Sequence, residues 1–277
     1  MEIATHMLRT GRRGTLFEFS MALNDLQRSF ERLSLAWALA RHDVVARYRG
    51  SILGPFWITL SMGLMVLGIG FLYANLFKIS LHDFMPFVAL GIVVFGTITG
   101  IITEGTETFV QAAGMLSQTS LPMFTFVWRT VLRNLVNFGH HLVIIVAVLA
   151  IYGYWRVMDL PLAAAGFVLL LLNTSWISML VGIASARFRD VPQIVISVMQ
   201  FAMFMTPVFW TPERFPGRHA VLFLNPFNHL LNVVRAPMLG KPVDPASWLI
   251  LIGMAVAGWA LTFTVFSLTR RRIVHYL

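Results

Sequence analysis

Along this chain long apolar stretches alternate with short polar ones, and six of the apolar stretches contain no Asp, Glu, Lys or Arg. They cover residues 50–77, 84–103, 134–155, 160–186, 191–212 and 245–269. A helix rises about 1.5 Å per residue, so about 20 apolar residues cross the roughly 30 Å hydrocarbon core of a bilayer. A charge at the bilayer centre costs about 2.5–3.5 kcal/mol or more, so charge-free runs of this length mark spans. The pattern predicts an all-α polytopic membrane protein with six transmembrane helices, at about 56–77, 84–103, 128–152, 160–185, 191–211 and 247–269. A soluble fold would instead need helices apolar on every side in almost every element.

The segments between the spans carry further structure. Residues 1–28 are polar and mixed and read as a loosely ordered cytoplasmic tail, followed by one transmembrane domain over 29–277. From 29 to 49, Phe30, Leu33, Trp37, Ala40, Val44 and Tyr48 recur every three or four residues. That spacing predicts an amphipathic helix lying in the membrane interface, or a plain solvated helix. Residues 108–128 are charge-free but hold Gln111, Gln118, Gly114 and Pro122, too polar and broken to cross lipid. A short helix around 104–115, a turn, and a new helix after Pro122 are expected there. The loop from 211 to 247 is too long to be structureless, and its apolar segment 220–234 is interrupted by Asn225-Pro226. It reads as a turn at 212–216 and two short re-entrant helices.

Composition adds direction to this picture. Lys and Arg beside the spans favour one side, which carries Arg41, Arg47, Arg49, Arg129, Arg133, Arg187, Arg189 and Arg270 to Arg272. The other side carries Lys78, Arg156, Arg214, Arg218, Arg235 and Lys241. The positive-inside rule then puts both termini in the cytoplasm. The net charge of +9 lies mainly next to spans, which suits lipid headgroups and not nucleic acid. No apolar run occurs in the first 30 residues, so no cleavable signal peptide is expected. Cysteine is absent, which excludes disulfides and thiolate metal sites.

The candidate chemistry is sparse. Gly240-Lys241 is followed by Pro242, so no nucleotide-binding loop is present. No carboxylate lies inside a span, which weighs against proton- or sodium-driven transport. His140-His141 points two ways at about 100° and reads as packed polar residues, pore lining or an ion relay. Arg129 and Arg133, one turn apart, are snorkelling anchors or a cationic collar for a phosphate. No catalytic triad, metal motif or paired-carboxylate site is evident, so neither enzyme activity nor a metal site is expected. Aromatic residues are abundant, with eight Trp and 23 Phe. Trp57, Trp128, Trp210 and Trp248 suit interfacial belts. Trp176, beside Asn173, Thr174, Ser175 and Ser178, suits either helix packing or a flat face for a sliding sugar chain.

Residues 47–57, Arg-Tyr-Arg-Gly-Ser-Ile-Leu-Gly-Pro-Phe-Trp, resemble the approach to the first span in type-2 ABC exporter permeases. Leu121-Pro122, residues 186–191 (Ala-Arg-Phe-Arg-Asp-Val) and Asn225-Pro226-Phe227 extend the likeness, which is nearest to permeases for O-antigen, capsule and teichoic acid. The resemblance implies a homodimer in the bacterial inner membrane, bound to a cytoplasmic ABC ATPase dimer. ATP-Mg would sit on that partner, and no cofactor on this chain. The implied cargo is a polyprenyl-pyrophosphate-linked glycan. Arg47, Arg49, Arg129 and Arg133 become candidates for its headgroup. Phe56, Trp57, Tyr73, Trp176, Phe201, Phe204, Phe209 and Trp210 become candidates for the channel wall. Arg41, Asp43, Glu104, Glu107, Gln111 and Ser117 become candidates for ATPase coupling. A type-2 permease for a drug, peptide or lipid, an ion-gradient transporter and a membrane scaffold are the alternatives.

Overall fold

The computed structural model describes residues 15–212 and 219–276, and among these the regular structure is helical with no strand. Residues 1–14 of the expected tail, Arg214, Arg218 and most of the expected turn at 212–216 lie outside the described residues. In chain order the helices are α1 (Thr15–Glu31), α2 (Leu33–Arg47), α3 (Phe56–Phe77), α4 (Leu81–Gly105), α5 (Thr108–Gln118) and α6 (Phe124–Ile151). They continue as α7 (Leu160–Arg187), α8 (Val191–Met205), α9 (His219–Leu224), α10 (Pro226–Met238) and α11 (Pro245–Tyr276).

Five of these, α3, α4, α6, α7 and the 245–273 part of α11, are long and apolar enough to cross a membrane. The fifth expected span is shorter: α8 has 15 residues, about 22 Å of helix. It ends because Pro207 follows and holds Thr206 extended (ψ 138°), after which Thr206, Pro207 and Val208 continue as buried non-helical chain.

The helix α4 is the central post. Phe84, Met85, Val88, Ile92, Phe95, Ile98 and Ile102 are buried in one cluster with residues of α3, α6, α7, α8, α10 and α11. Glycine permits the tightest crossings. A Cβ on Gly166 of α7 would stand 2.1 Å from the Val233 carbonyl oxygen of α10. The polar run in α7 is consumed by packing: Asn173 donates to the carbonyls of Leu169 and Leu251 at 3.0 and 3.1 Å, and Thr174 and Ser175 bond one turn back.

Two expectations near the N-terminus are corrected. The chain is helical from Thr15, and α1 and α2 are separate helices divided at Arg32 (φ −103°, ψ 17°). The buried face of α2 is Ala36, Ala40 and Val44, whereas Phe30, Leu33 and Trp37 are exposed. Small residues face the protein because α2 lies close against α6.

Candidate functional site

At the arginine-rich end of the bundle, α2, α4 and α6 converge on a cluster of five charged side chains. Asp43 of α2 accepts from Arg129 Nε at 2.7 Å and Nη2 at 2.6 Å, a two-pronged pair. Arg133, one turn further along α6, donates to the same Asp43 at 3.1 Å and to Glu104 of α4 at 2.8 Å. Asn134 adds a 2.7 Å bond to Glu104, and Arg47 approaches it at 3.4 Å. Three guanidinium groups thus share two carboxylates. Burial works to raise the Asp43 carboxyl, but Arg129 and Arg133 outweigh it and hold it below its ordinary range. The Arg133 side chain is only 6 % exposed, so this nearly buried charge depends on Asp43 and Glu104 for its neutralisation.

This arrangement changes the reading of the α6 arginines. They neither snorkel freely nor stand as an open cationic collar, because both are held by carboxylates of other helices. It also joins groups the sequence kept apart: headgroup candidates Arg47, Arg129 and Arg133 form one network with coupling candidates Asp43 and Glu104. The helix α6 starts at Phe124, two residues after Pro122 and before both arginines.

Beside the cluster a cavity of about 480 Å³ opens between α4 and α8. Its polar lining includes Arg47, Thr99, Thr103, Glu104, Glu107 and Gln200, and its apolar wall includes Ile196, Met199 and Met203. The Thr99 hydroxyl is buried without a hydrogen-bond partner, so the lining holds unused capacity for polar contacts. The short helix α5 hangs below, buried through Phe109, Ala112 and Leu116, with Glu107, Gln111 and Ser117 exposed on the opposite side.

The family of ABC-2 type transporters matches residues 34–239, well over half of the chain. The chain belongs to the ABC-2 type transporter family. This ABC-2 permease is therefore a multi-pass membrane transport component. It is 24 % identical over 210 residues to the O-antigen export system permease protein RfbA of Myxococcus xanthus, covering 75 % of this chain and 81 % of that one. It is 21 % identical over 199 residues to the protein of the same name from Klebsiella pneumoniae, covering 70 % and 75 %.

The aromatic candidates in the ABC-2 permease do not form one surface. Trp176 is wedged against Gly258 of α11 and donates to Asn173 at 3.2 Å, a packing role. Trp210 is buried, with its indole N–H on the Phe204 carbonyl at 3.2 Å. Tyr73 and Phe204 both meet Phe209, with ring centroids 5.6 and 6.0 Å apart, at the end opposite the arginines. Phe56 and Trp57 on α3 and Phe201 and Phe204 on α8 are exposed. Arg41 and Arg49 are exposed as well.

Several organising residues carried no local signal. Asp25 of α1 is buried, accepts from the backbone N–H groups of Met123 and Phe124 at 3.2 Å each, and pairs with Arg270 at 3.1 Å. It caps a helix that starts almost a hundred residues later. Arg235 of α10 is buried with its guanidinium 4.0 Å over the Phe87 ring, and bonds Asn232 at 2.7 Å and the Pro207 carbonyl. His229 bonds Ser247 at 2.8 Å and the Phe223 carbonyl at 2.7 Å, fixing α10 to the start of α11.

Proposed function

We propose that this permease is the membrane subunit of an ATP-driven exporter that moves a lipid-linked polysaccharide across the bacterial inner membrane. The observation that carries the cargo class is the likeness to two O-antigen export permeases over at least 70 % of the chain. The cavity chemistry supports it: hydroxyl, amide and carboxylate groups with an apolar wall suit sugar hydroxyls, and Arg47 in the same lining suits a phosphate. The permease works as a homodimer with both termini in the cytoplasm, and a separate ATPase dimer docks below. Six crossings require α8 with the chain after it to complete the fifth, and α9–α10 to dip in from the outer side.

The parts then have distinct roles. The exposed Glu107, Gln111 and Ser117 face of α5 receives the ATPase, with Arg41 on the neighbouring α2. Glu104 stands three residues before Glu107, so a push on α5 reaches the ion cluster directly and moves α2 and α6 with α4. The pyrophosphate head falls to the exposed Arg47 and Arg49. The outward-facing aromatics of α3 and α8 form the glycan path.

Deleting the gene in its host tests the reading. Loss of surface polysaccharide with accumulation of lipid-linked glycan inside is the expected result. Normal surface glycan with altered drug or lipid efflux would move the assignment to another ABC-2 cargo.

A further inference from the structure

Toward the end of the bundle opposite the arginines, α4, α6, α7 and α10 border a cavity of about 150 Å³ whose lining residues are all apolar. Phe138 of α6 and Phe167 of α7 line its deeper part, with stacked rings whose centroids lie 4.5 Å apart. Leu142 of α6 and Leu160 and Ala164 of α7 line its open side, where Leu142 and Leu160 are 38 % and 55 % exposed. Phe167 lies seven residues, about 10 Å of helix, further into α7 than Leu160. The cavity therefore opens at hydrocarbon depth, on two helices long and apolar enough to span.

Above that opening the surface is basic. The chain leaves α6 through a single 3₁₀ turn, Tyr154–Arg156, and enters α7 at Leu160. The Asp159 N–H donates to the Pro237 carbonyl at 2.9 Å, next to Met238 of the cavity wall. A Cβ on Gly240 would stand 2.8 Å from the Val157 carbonyl oxygen. Arg156 and Lys241 therefore flank one contact, at the level where α7 begins. Both are exposed, and neither forms an ion pair among the described residues. The carboxylates at this end are engaged elsewhere. Asp159 accepts from the Leu162 N–H at 2.9 Å, Asp244 from the Ala246 N–H at 2.9 Å, and Asp83 meets His82 at 3.1 Å. The Arg156 guanidinium lies 5.0 Å over the exposed Trp155 ring, a pairing that suits the headgroup level of a bilayer.

We propose that this groove is a phospholipid site: one acyl chain fills the apolar cavity, and the phosphate of the same molecule rests on Arg156 and Lys241. An apolar cavity of about 150 Å³ stays dry and holds a hydrocarbon about as large as benzene. At this depth the bilayer supplies that hydrocarbon as lipid chain. A phospholipid satisfies the apolar cavity and the cations above it together, whereas a peptide would carry backbone N–H and C=O groups into a slot without partners. An unbranched acyl chain also suits so small a slot better than a polyprenyl chain, which bears a methyl branch on every unit. In the orientation proposed above the lipid belongs to the outer leaflet, where it wedges α10 against α6 and α7.

Native mass spectrometry of the full-length protein, delipidated and then titrated with phosphatidylglycerol, counts bound lipid and gives an apparent Kd. Ala164→Phe fills the cavity from an exposed position, and Arg156→Gln with Lys241→Gln removes both phosphate contacts at exposed positions. Val146→Phe, on the exposed face of α6 outside the cavity, is the control. The parent and Val146→Phe should bind one tight lipid per chain. The other two variants should bind it at least about tenfold more weakly, the size of one lost charge-assisted contact for the charge variant. An unfolding midpoint near the parent's shows that each variant is folded, and the charge variant carries the test if Ala164→Phe is not. A parent without a saturable site, or an unchanged Kd in the charge variant, overturns the proposal. An unchanged Kd in folded Ala164→Phe places the lipid elsewhere and overturns it too. Undecaprenyl phosphate displacing phosphatidylglycerol at equal concentration would make the groove a site for the cargo's chain and overturn the phospholipid assignment.

Discussion

Replacing Asp25 by Ala removes three hydrogen bonds at once. Two are to the first free N–H groups of α6, where Met123 supplies no side-chain cap of its own. Losing such a cap costs about 0.5–2 kcal/mol. The third leaves Arg270 unpaired, and breaking a buried pair costs about 3–5 kcal/mol. Because the Arg270 side chain keeps 25 % of its surface in solvent, the lower end of that range or less applies. Together the change should remove about 2–4 kcal/mol, on the order of 5–10 °C in the unfolding midpoint. Intrinsic tryptophan fluorescence of the full-length protein in nanodiscs measures it. Asp25→Asn keeps one acceptor oxygen and sheds a charge that burial disfavours, so its loss should be under half as large. The pH dependence follows the same logic. Burial pushes the Asp25 carboxyl above its ordinary 3.8 despite the Phe124 N–H and Arg270, so the folded protein binds the proton more tightly than the unfolded chain. That contribution is complete below 3.8 and is lost as pH rises through the folded value, and Asn should abolish the slope. A midpoint for Asp25→Ala within about 1 °C of the parent would refute the capping role.

Three further outcomes are expected. Glu104→Gln leaves Arg133 with Asp43 as its one carboxylate and should lower the midpoint by several degrees while weakening coupling. Stimulation of the partner ATPase in proteoliposomes checks the second effect, and unchanged values in both would sink the cluster as a linkage. Asp43 has the opposite sign to Asp25: its lowered carboxyl stabilises above 3.8 and that stability is lost as pH falls through the folded value, an acid limb that Asp43→Asn should remove. Gly166→Ala drives a methyl into the Val233 carbonyl, an overpacking cost of about 1–3 kcal/mol read as a lower midpoint.

Spanning helices were legible in the sequence because a lipid interior tolerates no charge, and α3, α4, α6, α7 and α11 lie where the charge-free runs predicted. Where apolar character did not decide, the reading slipped. The strip of α1 that meets the protein is Ala22, Asp25 and Ser29, small and polar, so no hydrophobic stripe announced a helix. The fifth run looked continuous through Trp210, but Pro207 ended α8 at Met205. The ion cluster was invisible for a different reason: Asp43 and Arg129 are 86 residues apart, and no local pattern encodes a contact between helices that distant. Trp176 meets Gly258 of α11, a contact between helices that the residues around Trp176 do not encode.

The 32 residues of α11 make a rod about 48 Å long, some 18 Å more than a hydrocarbon core needs. The surplus carries Arg270 and Arg271, the handles by which Asp25 and Glu18 hold α1. A tilt of about 10° in such a rod sweeps its far end by about 8 Å if the other end stays fixed. The last helix thus overhangs the bundle as an arm: through Asp25, α1 ties its tip at Arg270 to the Met123 and Phe124 N–H groups at the start of α6, so a tilt of the one would load the other.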